Sequence, residues 1–261
     1  MGAAIQAGAS EHAFSDITVH TYRPANFTPE SRVVMVMHGR KRNGAEYRDF
    51  WIADAERHGF LIVTPEFPEA RYPHPHRYNY AGMVRADGAV APRDEWLYPM
   101  IDEIFRDAAA RAGSKRGRYA IFGHSAGAQF VHRFVTFGWS PLIERAVAAN
   151  AGSYTLPKFD EQFPFGLAGL TDLEVDRRAL FSRPLIVLLG DRDNDPGDEH
   201  LPREPGAMRQ GAHRFARGNR YMEVAQREAE RIGVPFAWRL AVAPGVAHSG
   251  REMSPFAARE L

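Results

Sequence analysis

The chain has 261 residues, 44% of them hydrophobic and 25% charged, with a net charge of +1. That composition suits one soluble domain large enough to bury most of its unfolded surface, and it offers no electrostatic case for nucleic acid or an acidic membrane as partner. The absence of cysteine excludes disulfides, thiolate nucleophiles and Cys-ligated metals.

No apolar run approaches the ~20 residues that a membrane-spanning helix needs. The opening stretch, MGAAIQAGASEHAF, lacks a basic segment followed by a long apolar core, so no export leader is recognised and a cytoplasmic location is expected. Residues 17–22 (ITVHTY) alternate in polarity and predict an antiparallel edge strand. Residues 33–37 (VVMVM) form a continuous apolar run closed by His38-Gly39, the pattern of a strand buried on both faces. Residues 45–58 predict a helix with Tyr47, Phe50, Trp51 and Ala55 on one face and Gly59 as its stop. A strand over 61–64 follows, closed by Pro65.

Residues 94–112 predict a longer helix, with Asp94 as N-cap and Leu97, Ile101, Ile104 and Phe105 as its apolar stripe. Then come a strand over 119–122, a helix over 126–137 and strands over 146–149 and 185–189. A helix over 220–232, a strand over 237–242 and a short helix after Ser249 complete the chain. This alternation implies a single α/β domain spanning 1–261, with a mostly parallel, doubly wound sheet and helices on both faces. Two irregular stretches, 66–93 and 155–182, are long enough to be functional loops or a lid, and they leave strand ends, where open α/β sheets place ligands.

Gly123-His124-Ser125-Ala126-Gly127 matches G-x-S-x-G with a strand before it and a helix after it. The glycines permit a sharp turn, from which Ser125 Oγ would project as a nucleophile while the Ala126 amide stays free to bind an oxyanion. A serine alcohol needs a base. In the order that this turn implies, an acid and then a histidine follow the serine. Of the eleven histidines, His248 lies in a turn-rich loop just past the last strand and is the expected base. His200 and His213 sit in a polar, Arg-rich segment where solvation is expected. The acid is expected in Gly190-Asp-Arg-Asp-Asn-Asp195, with Asp193 preferred and Asp195 second. A Ca²⁺ loop is the rival reading of that stretch, but Pro196 and Pro202 stand where an EF-hand needs Gly and Glu. His74 and His76 lack an evident third ligand, so no metal is expected. By position, the loop after His38-Gly39 supplies a second oxyanion donor, the backbone N–H of Arg40.

With these residues in hand, the chain resembles the α/β-hydrolase superfamily over nearly its whole length, and within it the poly(3-hydroxybutyrate) depolymerase-like esterases of LpqC type. The likeness rests on His38-Gly39-Arg40 with Asn43 and Tyr47, on Gly123-His-Ser-Ala-Gly-Ala-Gln-Phe130, on Asn150-Ala-Gly-Ser-Tyr154, on Gly190-Asp-Arg-Asp193 and on Pro244-Gly-Val-Ala-His248. The resemblance implies carboxylic-ester hydrolysis by a Ser125–Asp193–His248 triad without a cofactor. The expected substrate is a small or oligomeric ester, such as a short hydroxyalkanoate. An aryl or feruloyl esterase is the rival enzyme reading, and a non-catalytic binding protein is the rival from another class. Phe67, Tyr72, Tyr78, Tyr80, Trp96 and Tyr154 could line an apolar cleft beside the serine. Arg203, Arg209, Arg214, Arg217 and Arg220 could attract a carboxylate-bearing substrate, although most are expected to face solvent.

Overall fold

Eight strands build one sheet in a computed structural model that describes residues 3–73, 75–170 and 173–261. They are β1 (Gly8–Phe14), β2 (Ile17–Arg23), β3 (Val33–Met37), β4 (Leu61–Glu66), β5 (Tyr119–His124), β6 (Ile143–Ala149), β7 (Leu185–Gly190) and β8 (Arg239–Ala243). Their order across the sheet is β1-β2-β4-β3-β5-β6-β7-β8. β1 and β2 run antiparallel, and every pairing from β4 to β8 is parallel. This is the α/β-hydrolase fold.

The helices are α1 (Gly44–Phe50), α2 (Ile52–His58), α3 (Leu97–Ala112), α4 (Ala126–Phe137), α5 (Arg177–Leu180), α6 (Pro205–Gln210), α7 (Arg214–Ile232) and α8 (Gly250–Glu260). Successive side chains of a strand point to opposite faces, so β3 feeds two cores. Val33, Met35 and Met37 pack with residues of α3, α4 and α7. Val34 and Val36 pack with Tyr47, Trp51 and Ala55 of the α1–α2 region and Met253 and Ala257 of α8. Among the described residues no helix is long and apolar enough to cross a membrane.

Four expectations are corrected. The strand at 17–22 is not an edge, because β1 pairs along its full length and takes that position. The helix expected over 45–58 is two, broken at Trp51, whose fully buried indole packs edge-on against Phe122. Asp94 sits in a short 3-10 turn rather than capping α3, which begins at Leu97 with no side-chain cap. Pro65 does not close β4, because it lies opposite Val19 of β2. Gly59 and Gly113 do end their helices in the left-handed region, where glycine carries no Cβ penalty.

Candidate active site

The carboxyl ends of β3, β5, β7 and β8 lie along one edge of the sheet, and their loops carry the site. The turn between β5 and α4 is the tightest. Ser125 adopts φ 58 and ψ −115, a conformation L-residues rarely hold and one that clusters at functional sites. Its amide donates to Ala149 O at 3.0 Å, and its carbonyl accepts from Gln129 N at 3.1 Å to start α4. Both motif glycines are required by close packing. A β-carbon at Gly123 would lie 2.2 Å from Gly127 O, and one at Gly127 would lie 2.2 Å from Met37 O. Ala126 opens α4, so its amide has no acceptor within the helix.

Ser125, His248 and Asp193, distant in sequence, meet in one hydrogen-bonded line. Ser125 Oγ is 3.0 Å from His248 Nε2, and His248 Nδ1 is 2.7 Å from Asp193 Oδ2. An ionised carboxylate only accepts, so Nδ1 carries the proton and Nε2 is left to accept from the serine hydroxyl. The other acidic candidates are occupied elsewhere. Asp191 Oδ1 accepts from Gly245 N at 2.7 Å, and exposed Asp195 accepts from Gly197 N at 2.7 Å.

Asn150 fastens the loops bearing Asp193 and His248 together. Its Oδ1 accepts from Gly190 N at 2.9 Å, and its Nδ2 donates to Ala247 O at 3.3 Å. It does so at φ 51, a value asparagine tolerates better than most residues.

His38 is a structural residue of the loop that carries Arg40. Its buried ring donates from Nδ1 to Gly39 O at 2.9 Å and accepts the Phe67 amide at Nε2, 3.0 Å away. Burial pulls its pKa down to about 3, so it stays neutral. Burial likewise holds His124 well below its ordinary value, with the nearby charges of His248 and Arg214 adding to the effect. The His124 ring lies 4.6 Å from that of His248, and its Nδ1 is 2.9 Å from Tyr47 Oη. Sequence reasoning missed the parts played by Tyr47, His124 and Asn150, although all three were among the residues that carried the resemblance.

Two cavities of about 260 Å³ each open on Ser125, and both are bordered by Arg40 and His200. One is walled by Asn79, Tyr80, Gln129, Ser153 and Phe165. The other is walled by Lys41, Glu46, Tyr47, Phe50 and His248. The expected aromatic cleft is therefore corrected: of its six rings only Tyr80 lines these cavities. Tyr78 stacks on His38 at 4.6 Å, Tyr154 stacks on Tyr221 at 4.6 Å, and Trp96 borders a different cavity. Phe67 and Tyr72 are core residues too. These rings are large enough to fill the interior, and apolar burial draws them there.

Of the arginine cluster, Arg203 and Arg209 are exposed and Arg220 is half-buried, as expected of most of it, whereas Arg214 and Arg217 are buried and Arg214 lines the cavity beside Tyr80. Arg217 holds the loops by donating to Gly211 O, Gly152 O and Pro202 O at 2.6–2.9 Å. Arg214 donates to Asp193 Oδ1 at 3.2 Å and to Asp198 Oδ1 at 3.0 Å, and that hydrogen bond lowers the Asp198 pKa to about 2. His200 is exposed, as expected, and it also borders both cavities beside the serine. His74 lies outside the described residues. Among the described residues no group of three His, Asp or Glu could hold a metal.

Comparison with known proteins comes only from solved structures, because no family model and no curated protein matches the chain. The chain is similar to poly(aspartic acid) hydrolase-1 from Sphingomonas sp. KT-1, with 38% identity over 98% of both chains and a TM-score of 0.92. It is similar to LpqC, a poly(3-hydroxybutyrate) depolymerase from Bordetella parapertussis, with 40% identity over 97% of this chain and 89% of that one, and a TM-score of 0.88. A fluorophosphonate-binding serine hydrolase of Staphylococcus aureus, FphF, shares the fold at 15% identity over 97% of this chain and 95% of that one, with a TM-score of 0.59.

Proposed function

The chain belongs to the α/β-hydrolase superfamily, within its poly(3-hydroxybutyrate) depolymerase-like group, and on that premise we propose that it is a serine hydrolase cleaving carboxylic esters through an acyl-enzyme. The observation that supports this most is the unbroken path from Ser125 Oγ through His248 to Asp193, at 3.0 and 2.7 Å, starting from a strained serine. His248 Nε2 takes the hydroxyl proton as Oγ bonds to the ester carbonyl carbon, whose C=O electrons move onto oxygen. The amides of Ala126 and Arg40 bind that oxyanion; losing one such donor typically costs about 2.7–4 kcal/mol of transition-state stabilisation. The tetrahedral species collapses, the C–O bond to the alcohol breaks, and His248 returns the proton to the leaving oxygen. Water, deprotonated by His248, then hydrolyses the acyl-enzyme and restores Ser125.

The substrate proposed is a short hydroxyalkanoate ester or oligomer. Gln129 and Ser153 in the cavity wall offer hydrogen bonds to an acyl chain that carries oxygen. A second reading is an anionic poly(aspartic acid)-like chain, cleaved at its amide bonds. It is favoured by Arg40 and Lys41, which are exposed at the cavity mouth and pair with no carboxylate among the described residues. The test compares turnover of a 3-hydroxybutyrate oligomer, poly(aspartic acid), p-nitrophenyl butyrate and methyl ferulate. Preference for the oligomer supports the first reading. Preference for poly(aspartic acid), weakened by salt, supports the second, and preference for ferulate overturns both.

A further inference from the structure

We infer that Arg214 and Asp198 are positioning residues of the Ser125 site: Arg214 grips the Asp193 carboxylate, and Asp198 cancels the arginine's charge so that Asp193 keeps its full effect on His248. The inference rests on the serine-hydrolase reading and extends it.

Asp193 is 5% exposed, and its two oxygens have different partners. Oδ2 faces His248 Nδ1 at 2.7 Å, and Oδ1 faces Arg214 Nη1 at 3.2 Å. The other arm of the same guanidinium, Nη2, reaches Asp198 Oδ1 at 3.0 Å. A planar fork touching two carboxylates fixes both, which an ammonium on a flexible stem cannot do. Asp198 is itself tied down, because Oδ1 also accepts from His200 N at 2.7 Å. The acid loop and the segment bearing His200 are thus anchored to one buried arginine at the start of α7.

An arginine beside the acid would by itself be counterproductive. Its positive charge opposes protonation of His248, the event that the acid exists to stabilise. Asp198 removes the contradiction. Asp193, Arg214 and Asp198 together carry one net negative charge, the same as a lone carboxylate. The other groups around His248 are Ser125 and His124 from the nucleophile turn and Arg40, Lys41, Glu46, Tyr47 and His200 at the shared cavity. His124 is held neutral by burial, and Tyr47 is held protonated by the same cause.

The experiment is the pH profile of kcat/KM on p-nitrophenyl butyrate, with fluorophosphonate labelling of Ser125 as a parallel readout. Arg214→Met removes a positive charge, favours protonated His248, and moves the acid limb upward by about half a pH unit or more. Asp198→Asn removes a negative charge and moves the limb downward by a similar amount. The double variant returns the limb to within about 0.3 pH unit of wild type, because the two changes cancel. Arg214→Lys keeps the limb but lowers kcat several-fold, because a flexible ammonium holds the two carboxylates less rigidly than the planar fork. Limbs that stay fixed, or that move the same way in both single variants, overturn the inference. If Arg214→Met does not fold, the sign for Asp198→Asn decides alone: downward supports, unchanged or upward overturns. Failure of wild type to label at Ser125 instead sinks the serine-hydrolase reading.

Discussion

Tyr47 Oη lies 2.9 Å from His124 Nδ1, and the phenol stands over Gly39, where a β-carbon would meet that oxygen at 2.7 Å. One side chain of α1 therefore touches both the loop bearing Arg40 and the residue before Ser125. Burial pushes the Tyr47 pKa up and the His124 pKa down, so the pair stays neutral and adds no charge beside His248. Tyr47→Phe leaves His124 Nδ1 buried without its partner, which costs about 1–3 kcal/mol. The expected result is a lower urea midpoint with kcat reduced several-fold; equal stability and equal kcat would refute the linkage.

Gly127 tests the close approach of the Ser125 turn to β3. A methyl there meets Met37 O at 2.2 Å and His38 O at 2.8 Å, and neither backbone atom can swing aside. Gly127→Ala is expected to destabilise by at least about 3 kcal/mol or to abolish soluble expression. Gly117→Ala, with nothing within 4 Å, is expected to stay within about 0.5 kcal/mol of wild type. Equal unfolding midpoints for the two variants would contradict this packing.

The central strands were legible because VVMVM and LIVLLG are apolar on both faces, a pattern that solvent-facing segments do not carry. β1 was not, because GASEHAF alternates half-buried with exposed positions, too weak a signal without its partner strand in view. Ser125 and His248 were legible because a strained turn and a post-strand loop each demand particular small residues nearby. The pairing of Arg214 with Asp193 and Asp198 was not legible for a physical reason: a buried, doubly paired arginine and a solvated one have the same letter. The aromatic residues misled similarly, since Tyr78 and Tyr154 suit a core as well as a cleft.

Acid stability follows from three buried neutral histidines. His38 is lowered to about 3, and His124 and His132 are well below their ordinary value, all chiefly by burial. Each takes up a proton on unfolding below about pH 6.5 but not while folded, so the unfolded state binds more protons and stability falls as pH falls. The loss begins near pH 6.5 and continues toward pH 3, at up to about 4 kcal/mol per pH unit while all three stay neutral. Unfolding midpoints should stay nearly level from pH 7.5 to about 6.5 and then decline steadily toward pH 5, and a flat profile would show that these rings are accessible to protons.

Asn150 predicts a split between catalysis and binding. Asn150→Ala loses the bonds to Gly190 N and Ala247 O and places a Cβ residue less tolerant of left-handed backbone at φ 51. We expect about 2–4 kcal/mol of destabilisation and a fall in kcat exceeding any rise in KM, because the loops bearing Asp193 and His248 lose their shared fastening. A change confined to KM would place Asn150 in substrate contact instead.

The central claim is most directly tested by intact-mass measurement after treatment with a fluorophosphonate. The account predicts a single covalent adduct mapped to Ser125 in the wild-type chain, no adduct in Ser125→Ala, and labelling slowed at least about 100-fold in His248→Ala, the lower end of the range for loss of a general base. Unmodified wild-type protein, or equal labelling rates with and without His248, would contradict it.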